Sequence, residues 1–417
     1  MKIKPTSEKA KSASKVSSRS HLGERVPRLR FLGFEGEWEV ARIGELYSER
    51  SQRCTTPMEL LSVTISEGVV PRADIEGKDN SSEDKSNYKV VHVGDMVYNT
   101  MRMWQGASGL SAYNGIVSPA YTILKDAAKF DHEFMASLFK TEWLINEFRK
   151  NSQGLTSDTW NLKYPQIAAI KVRLPSVQEQ HHIATFLSLI DSRITAQRKI
   201  VELLKKHKRG LSNALFSGKV RMARNAKWKT YRLGDIVRRV TRKNGKVSDV
   251  PLTISAQYGL IDQREFFSKA VASADMSGYY LLKQGEFAYN RSSSGEYPFG
   301  SIKRLERYNQ GAVSTLYICF EVLGDKDDAE FLKWYFDSFA WHREVGMICA
   351  EGARNHGLLN VPTDGFFDTK HKLPTDKNER KKIATLMALA DARCEHAETE
   401  LNRLTTLKSG LLQQLFV

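Results

Sequence analysis

A repeat limits most strongly what this chain can fold into. Ile183-Ala184-Thr185 with Leu189, Asp191 and Arg193 returns as Ile383-Ala384-Thr385 with Leu389, Asp391 and Arg393, at an offset of 200 residues. Leu204, Lys208, Gly210, Leu211, Leu215 and Phe216 return as Leu404, Lys408, Gly410, Leu411, Leu415 and Phe416 at the same offset. The two windows are identical at 6 of 11 and 6 of 13 positions. A solenoid unit runs about 20–50 residues, so a period this long is not a solenoid. It marks a duplicated half-protein. Two similar halves in one chain make a pseudo-dimer, which suits a target that itself has two parts.

The duplication extends beyond these windows. Trp38-Glu39-Val40-Ala41-Arg42-Ile43-Gly44-Glu45-Leu46 opens one half and Trp228-Lys229-Thr230-Tyr231-Arg232-Leu233-Gly234-Asp235-Ile236 opens the other. Each half then carries a Gly-acid-apolar-apolar-Tyr-Asn segment, Gly94 to Asn99 and Gly285 to Asn290. Ser118 with Tyr121 parallels Ser314 with Tyr317. The offset drifts from 190 to 200 across these pairs, as small loop insertions would produce. Short strands are expected at Tyr121-Thr122-Ile123-Leu124 and Leu316-Tyr317-Ile318-Cys319-Phe320 from their β-branched and aromatic content. Helical patches are expected from His132 to Phe148 and from Ala329 to Val345. Each globular half is therefore mixed α/β, of roughly 145 residues.

Each half ends at a Leu-Pro pair, Leu174-Pro175 and Leu373-Pro374. Proline disfavours helix in the residue before it and is welcome in a first helical turn. A long apolar stripe follows in each half. The first runs through Ile183, Leu187, Ile190, Ile194, Val201, Leu204, Leu211 and Leu215. The second runs through Ile383, Met387, Ala390, Cys394, Ala397, Leu401, Leu404, Leu411 and Leu415. Spacings of 3, 4 and 7 are those of a helix packed along its length on another helix. About 40 residues give a helix about 60 Å long, more than the depth of a small domain. The expected fold class is α+β: two mixed α/β halves joined by two long antiparallel helices, a coiled-coil spacer. Gly210 and Gly410 are candidate interruptions near the helix ends. The expected boundaries are a disordered basic tail at 1–27, a globular half at 28–175, a helix at 176–217 and a linker at 218–226. A second half at 227–373 and a second helix at 374–417 complete the chain.

Charge narrows the partner. The formal net charge is +15 over 417 residues, which favours a polyanion, nucleic acid before membrane. The four cysteines, Cys54, Cys319, Cys349 and Cys394, form no CxxC pair, so a reducing, cytoplasmic setting is expected. No apolar run reaches the roughly 18 residues a membrane span needs, and the N-terminus has no apolar core of a secretory signal.

Catalytic and cofactor motifs are missing. There is no GxxxxGK[ST] phosphate loop and no GxGxxG fingerprint. The Asn-Pro-Pro-aromatic tetrapeptide of amino-methylating DNA methyltransferases is absent. His132-Glu133 is followed by Ala136 where HExxH needs a second His. No catalytic residue and no metal ligand is therefore expected. Base-reading chemistry is present instead. Arg and Lys bind guanine edges, and Asn and Gln bind adenine edges. Hydroxyls reach phosphates. Arg102, Trp104 and Gln105 follow the first Tyr-Asn pair, and Arg291, Ser292 and Ser293 follow the second. A further basic run contains Arg238, Arg239, Arg242 and Lys243. These ten residues are the candidate DNA contacts, and replacing Arg291 and Ser293 is expected to relax one half-site only.

The chain resembles the specificity subunits of type I restriction–modification systems. Arg28-Leu29-Arg30-Phe31 followed by Glu35-Gly36-Glu37-Trp38 carries part of the resemblance. Leu174-Pro175 followed by Glu179-Gln180 and Ile183-Ala184 carries more. The helix ending Leu204, Lys208, Gly210-Leu211 and Leu215-Phe216, with its second copy, completes it. The second copy departs at one place, with Asn378-Glu379-Arg380 where the first has Gln178-Glu179-Gln180. The resemblance implies that each half is a target recognition domain reading one half of a bipartite sequence in double-stranded DNA. It implies helices that set the gap and dock two methyltransferase (M) subunits through Ile183, Leu187, Ile190, Ile194, Val201, Leu204, Ile383, Met387, Leu401 and Leu404. It further implies no cofactor in this chain. S-adenosylmethionine would sit in the M subunits, and ATP and Mg²⁺ in restriction (R) subunits. Two other readings stay open at this level: an enzyme whose site assembles from dispersed residues, and a protein-interaction scaffold with incidental basic charge.

Overall fold

The computed structural model describes residues 3–6, 26–79, 81–156, 159–223, 227–255, 258–266, 275–295, 297–349, 357 and 359–417. The chain divides into two compact units, Met1–Arg198 with Thr399–Val417, and Lys199–Glu398.

Unit one is built around a four-stranded antiparallel sheet in the order Tyr47–Arg50, Tyr121–Asp126, Met96–Asn99, Ser108–Leu110. Among its two-stranded ladders are Leu61–Thr64 with Gly68–Pro71, Lys89–Val91 with Gly115–Val117, and Glu39–Arg42 with Lys171–Leu174. Unit two repeats the plan. Its sheet runs Val237–Arg239, Ile318–Val322, Phe287–Asn290, Ser301–Arg304. Its ladders are Leu252–Ser255 with Gly259–Asp262, Tyr280–Lys283 with Gln310–Val313, and Trp228–Arg232 with Lys370–Pro374. The expected duplicated α+β architecture is present, with the four-stranded sheet and these three ladders matched between the units.

Each helical patch expected from the sequence is two helices: His132–Leu138 and Glu142–Asn151 in unit one, Lys326–Asp337 and His342–Ile348 in unit two. Thr141 and Ser338 make the breaks. The Thr141 hydroxyl donates to the Leu138 carbonyl and accepts from the Leu144 amide. Ser338 likewise donates to the Tyr335 carbonyl and accepts from the Ala340 amide. Short hydroxyl side chains compete with helical hydrogen bonds and favour caps, which periodicity alone does not register.

The long helices are Val177–Phe216, 40 residues, and Lys377–Leu415, 39 residues. Ser176 and Asp376 cap them, accepting the Glu179 and Asn378 amides. Gly210 and Gly410 do not interrupt them; a Cβ at either would meet open space. The first helix ends instead at Gly218, whose φ of +70° favours glycine and whose amide donates to Leu215. The first helix contributes residues 177–198 to unit one and 199–216 to unit two; the second contributes 377–398 to unit two and 399–415 to unit one. Within each unit the two segments run antiparallel. In unit one Asp191 pairs with Lys408 at 2.6 Å. In unit two Lys208 pairs with Asp391 at 2.5 Å and Lys205 with Glu398 at 2.6 Å. The Asp191–Lys408 pair and the Asp391–Lys208 pair are the same contact in the two halves.

The stripes lie inward. Ile183, Ala184 and Leu187 join Trp38, Phe134, Leu412, Leu415 and Phe416 in the core of unit one, and Ile383, Ala384 and Met387 join Leu215, Phe216, Phe331 and Phe366 in unit two. Part of the stretch expected to be disordered is ordered. Ile3–Pro5 pairs antiparallel with Leu29–Phe31 and Ile3 packs on the core, because an edge strand offers unpaired backbone groups. Most of the remaining tail lies outside the described residues.

The departure at Gln180 against Arg380 has a local cause. Gln180 Oε1 accepts the Asp131 amide ahead of helix His132–Leu138. Arg380 pairs at 2.7 Å with Asp328 in helix Lys326–Asp337. The same neighbour is held once by an amide and once by an ion pair.

His371 gives unit two a pH dependence. It is buried, accepting from Tyr335 Oη at 2.8 Å, with Thr369 Oγ1 2.8 Å from Nε2. Thr369 gives its own proton to the Phe366 carbonyl, so Nε2 carries the ring hydrogen. Burial pushes the imidazole down to about 4. The folded value lies below the unfolded one, so the unfolded state takes up the proton first. The contribution is intact above pH about 6.5 and is lost as pH falls from there towards 4. Between pH 7 and pH 5 it amounts to about 2 kcal/mol. Unit one has Val172 at this register position. In urea unfolding at both pH values, His371→Val is expected to show an acid-induced loss smaller by that amount; an unchanged loss refutes the assignment.

Candidate nucleic-acid interface

The candidate loops grow from the Gly-acid-apolar-apolar-Tyr-Asn segments, and the structure explains each letter. Gly94 and Gly285 both turn at φ +90°. The following acid closes the turn: Asp95 accepts the His92 amide at 2.7 Å and Glu286 the Lys283 amide at 2.8 Å. The same carboxylates take an arginine from close by, Arg50 on Asp95 at 2.9 Å and Arg242 on Glu286 at 3.0 Å. Tyr98 and Tyr289 are buried in the cores. Asn99 and Asn290 close the strand with matching turns, their side-chain oxygens accepting the Met101 and Ser292 amides at 3.0 Å. Each unit thereby presents a loop at the same end of the same strand of its sheet.

In unit one the loop turns through the short helix Met103–Gln105. Met103 anchors it in the core, Arg102 is exposed, and Trp104 and Gln105 are half-buried. Lys140 supports the loop from beneath, donating to the Gly106 carbonyl at 2.7 Å. Burial, with Lys408 nearby, pushes its ammonium down to about 8. A second segment, not singled out in the sequence, joins the loop. Leu162 donates to the Thr100 carbonyl at 2.9 Å, and the Trp160 ring meets Trp104 edge-on at 5.3 Å.

In unit two the candidates divide. Ser292 is exposed and Ser293 half-buried. Arg291 is committed inside the unit: its guanidinium donates to the carbonyls of Val361 at 3.2 Å and Leu316 at 3.0 Å. Thr100, at the same place in unit one, holds the Ala120 carbonyl, so Arg291 is a loop anchor. Arg291→Ala is expected to destabilise unit two by about 1–3 kcal/mol by stripping donors from two carbonyls. Calorimetry decides: a changed DNA preference with an unchanged melting temperature returns Arg291 to base reading. Arg242 is held by Glu286, and Arg238 by Glu321 at 2.6 Å. Lys243 lies over the Tyr280 ring and donates to Gly278. Arg239 is exposed on strand Val237–Arg239. All four residues of the second basic cluster are exposed, Arg238, Arg242 and Lys243 while also bound to neighbours within the unit.

The ten helix positions expected to dock partners are buried or half-buried and face inward. The outward apolar residues are others: Leu189, Ile200 and Leu203 on the first helix, and Leu389 and Leu407 on the second. Leu189 and Leu389 are the same position in the two halves, 63% and 59% exposed. Among the described residues no His, Cys, Asp and Glu group is placed to hold a metal, and no helix is long and apolar enough to cross a membrane.

Comparison with known proteins places this architecture. Residues 35–206 match the family model of the type I restriction modification DNA specificity domain. The type I restriction enzyme MjaVIII specificity subunit of Methanocaldococcus jannaschii is 25% identical over 201 residues, 45% of this chain and 47% of that protein. The chain thus matches about half the length of that curated relative. Among solved structures, the S subunit of a type I restriction–modification system from M. genitalium superposes with a TM-score of 0.55 at 15% identity, covering 94% of this chain and 99% of that one. A chain from a structure of type I complex assembly and conformational transition gives a TM-score of 0.53 at 12% identity, covering 91% and 97%. At these identities the structural likenesses speak for the fold alone. Residues 35–206, one of the two repeated halves with most of its long helix, are thus similar in sequence to the type I restriction modification DNA specificity domain.

Proposed function

We propose that this chain is the DNA sequence-specificity subunit of a type I restriction–modification complex and carries no catalytic site of its own. The observation that carries the reading is the duplication of the loop frame. Two units of one architecture each present a polar, aromatic or basic loop at the same end of the same strand. Two such units suit a target in two parts, each reading one half-site of double-stranded DNA. The net charge of +15 supports a polyanionic partner. Arg102, Trp104, Gln105, Ser292, Ser293, Arg238, Arg239, Arg242 and Lys243 are the contacts proposed, with the recognition units taken as residues 28–175 and 227–373. The long helices at 176–217 and 374–417 set the gap between half-sites.

The partners are two M subunits, which would bring S-adenosylmethionine, and R subunits, which would bring ATP and Mg²⁺. The docking surface proposed is the outward helix face, because the inward stripe is already covered. Leu189 and its repeat Leu389 supply one equivalent position per half, as two copies of one partner require. Leu189→Asp with Leu389→Asp is expected to abolish co-purification with the M subunit while the chain keeps its melting temperature. Intact assembly in size-exclusion chromatography with light scattering would move the docking surface elsewhere.

The function is tested by methylome sequencing of cells carrying this chain and an M subunit, beside cells lacking the chain. A new methylated motif in two parts with a fixed gap is the expected result. A continuous motif overturns the two-unit reading, and no motif despite co-purification favours a scaffold.

A further inference from the structure

We infer that each unit carries a phosphate grip for duplex DNA beside its reading loop, on the outer face of the ladder that leads into its long helix. The grip is Arg42, Lys171 and Arg173 in unit one, and Arg232, Lys370 and Lys372 in unit two. The inference rests on the proposed DNA-reading function and adds sequence-independent contacts to it.

Like charges directly opposite each other weaken an antiparallel ladder, and this chain has such a pair at the same place twice. Arg42 lies opposite Lys171 in the first ladder, and Arg232 opposite Lys370 in the second. Arg173 and Lys372 stand two residues further along, opposite Val40 and Thr230, and therefore on the same face. The neighbours change between the halves, Ala41 to Tyr231 and Val172 to His371, while all three cations stay. Val172 and His371, on the other face, are buried. The cation face is thus the outer one. Arg42, Lys171, Arg232, Lys370 and Lys372 are exposed. Arg173 is half-buried and donates to the Trp38 carbonyl at 3.3 Å. Asp368 holds Arg232. Arg42, Lys171, Lys370 and Lys372 form no ion pair among the described residues. Single exposed cations are ordinary on a protein surface. An opposed pair that weakens the free chain, present in both halves, calls for an anion to relieve it.

Position and shape identify that anion. One short helix links each ladder to its reading loop. In unit one Leu162, bonded to the Thr100 carbonyl, is followed by helix Tyr164–Ala169 and then by Lys171. In unit two Val361, whose carbonyl holds Arg291, is followed by helix Thr363–Asp368 and then by Lys370. Nine positions separate the two ends in both cases, so the ladder lies within about 20 Å of the loop. That is about six base pairs, and a duplex held by the loop has phosphates at that distance. A free two-stranded ribbon can enter the major groove, but this ladder is packed on the core by its inner face and can only lie along the backbone. Lysine, a point charge without a planar fork, suits phosphates and carries no base preference.

The test measures affinity across a salt series, using the full chain assembled with its M subunit and duplexes carrying the methylated motif with flanking sequence. Two double variants are compared with wild type, Arg42→Gln with Lys171→Gln and Lys370→Gln with Lys372→Gln. In each, the slope of log affinity against log salt is expected to become shallower by about 2, since one phosphate contact contributes about 0.9. Methylome sequencing should return the wild-type motif, because phosphate contacts carry no sequence information. Both variants should melt no lower than wild type, since an opposed charge pair is relieved. An unchanged slope overturns the grip; if the M subunit then also fails to co-purify, the face belongs to an acidic protein surface. A changed motif at the adjoining half-site overturns the grip in favour of base reading. A wild-type complex that binds no duplex overturns the DNA-reading function and the grip with it.

Discussion

Adding four residues to both long helices, after Arg198 and after Glu398, is expected to lengthen the gap in the methylated motif by about two base pairs. Both half-sites should stay as they are. Four residues add about 6 Å of helix and slightly more than one turn. Base pairs rise about 3.4 Å each, so 6 Å is close to two steps. Both insertions are needed because the helices pair in register. Asp191 meets Lys408 in unit one and Lys208 meets Asp391 in unit two. An insertion in one helix alone shifts one partner of those contacts and the inward stripe with it, so loss of assembly is the expected outcome of the single insertion. Methylome sequencing of cells with the doubly extended chain reads the gap directly. An unchanged gap with unchanged half-sites would mean that the helices are not the ruler.

The second large effect concerns Glu179, in the first turn of helix Val177–Phe216. Its carboxylate receives two hydrogen bonds from Arg30, both at 2.8 Å, and the two side chains are 2% and 6% exposed. Arg30 also donates to the carbonyls of Gly36 and Glu35. Glu179→Ala is expected to cost about 3–5 kcal/mol, because a buried guanidinium loses its counter-charge. Replacing both partners by apolar residues, Arg30→Met with Glu179→Leu, should recover most of that loss, since neither charge then needs desolvating. Chemical denaturation of the three proteins provides the measurement. A single variant within 1 kcal/mol of wild type would show that water or a neighbour replaces the carboxylate. The repeat predicts a smaller effect in unit two, where Glu379 accepts the Met222 amide at 3.3 Å and loses a neutral donor on truncation.

The candidate site was legible in the sequence only where its partners are close along the chain. The Gly-acid-apolar-apolar-Tyr-Asn segment was visible as a repeat because turn, acid, buried ring and Asx turn all act within a few residues. Arg291 shows the opposite case. An exposed-looking arginine in a polar loop reads as a base contact, yet the carbonyls that hold it belong to Val361 and Leu316, far along the chain. The docking face proposed here departs from the inward stripe for a related reason. Helical periodicity reveals the apolar stripe that packs inward, whereas Leu189 and Leu389 are single leucines outside that stripe.

By itself the sequence determined the duplication, the two long helices and the strand-rich halves. These properties follow from patterns repeated over tens of residues and from hydrogen bonds between near neighbours. The tertiary structure decided which of the basic residues are held by carboxylates or carbonyls and which face water. It also decided which side of each helix is covered, and which two loops share one surface. Those outcomes depend on side chains separated by tens to hundreds of positions, and a one-dimensional pattern carries no record of such meetings.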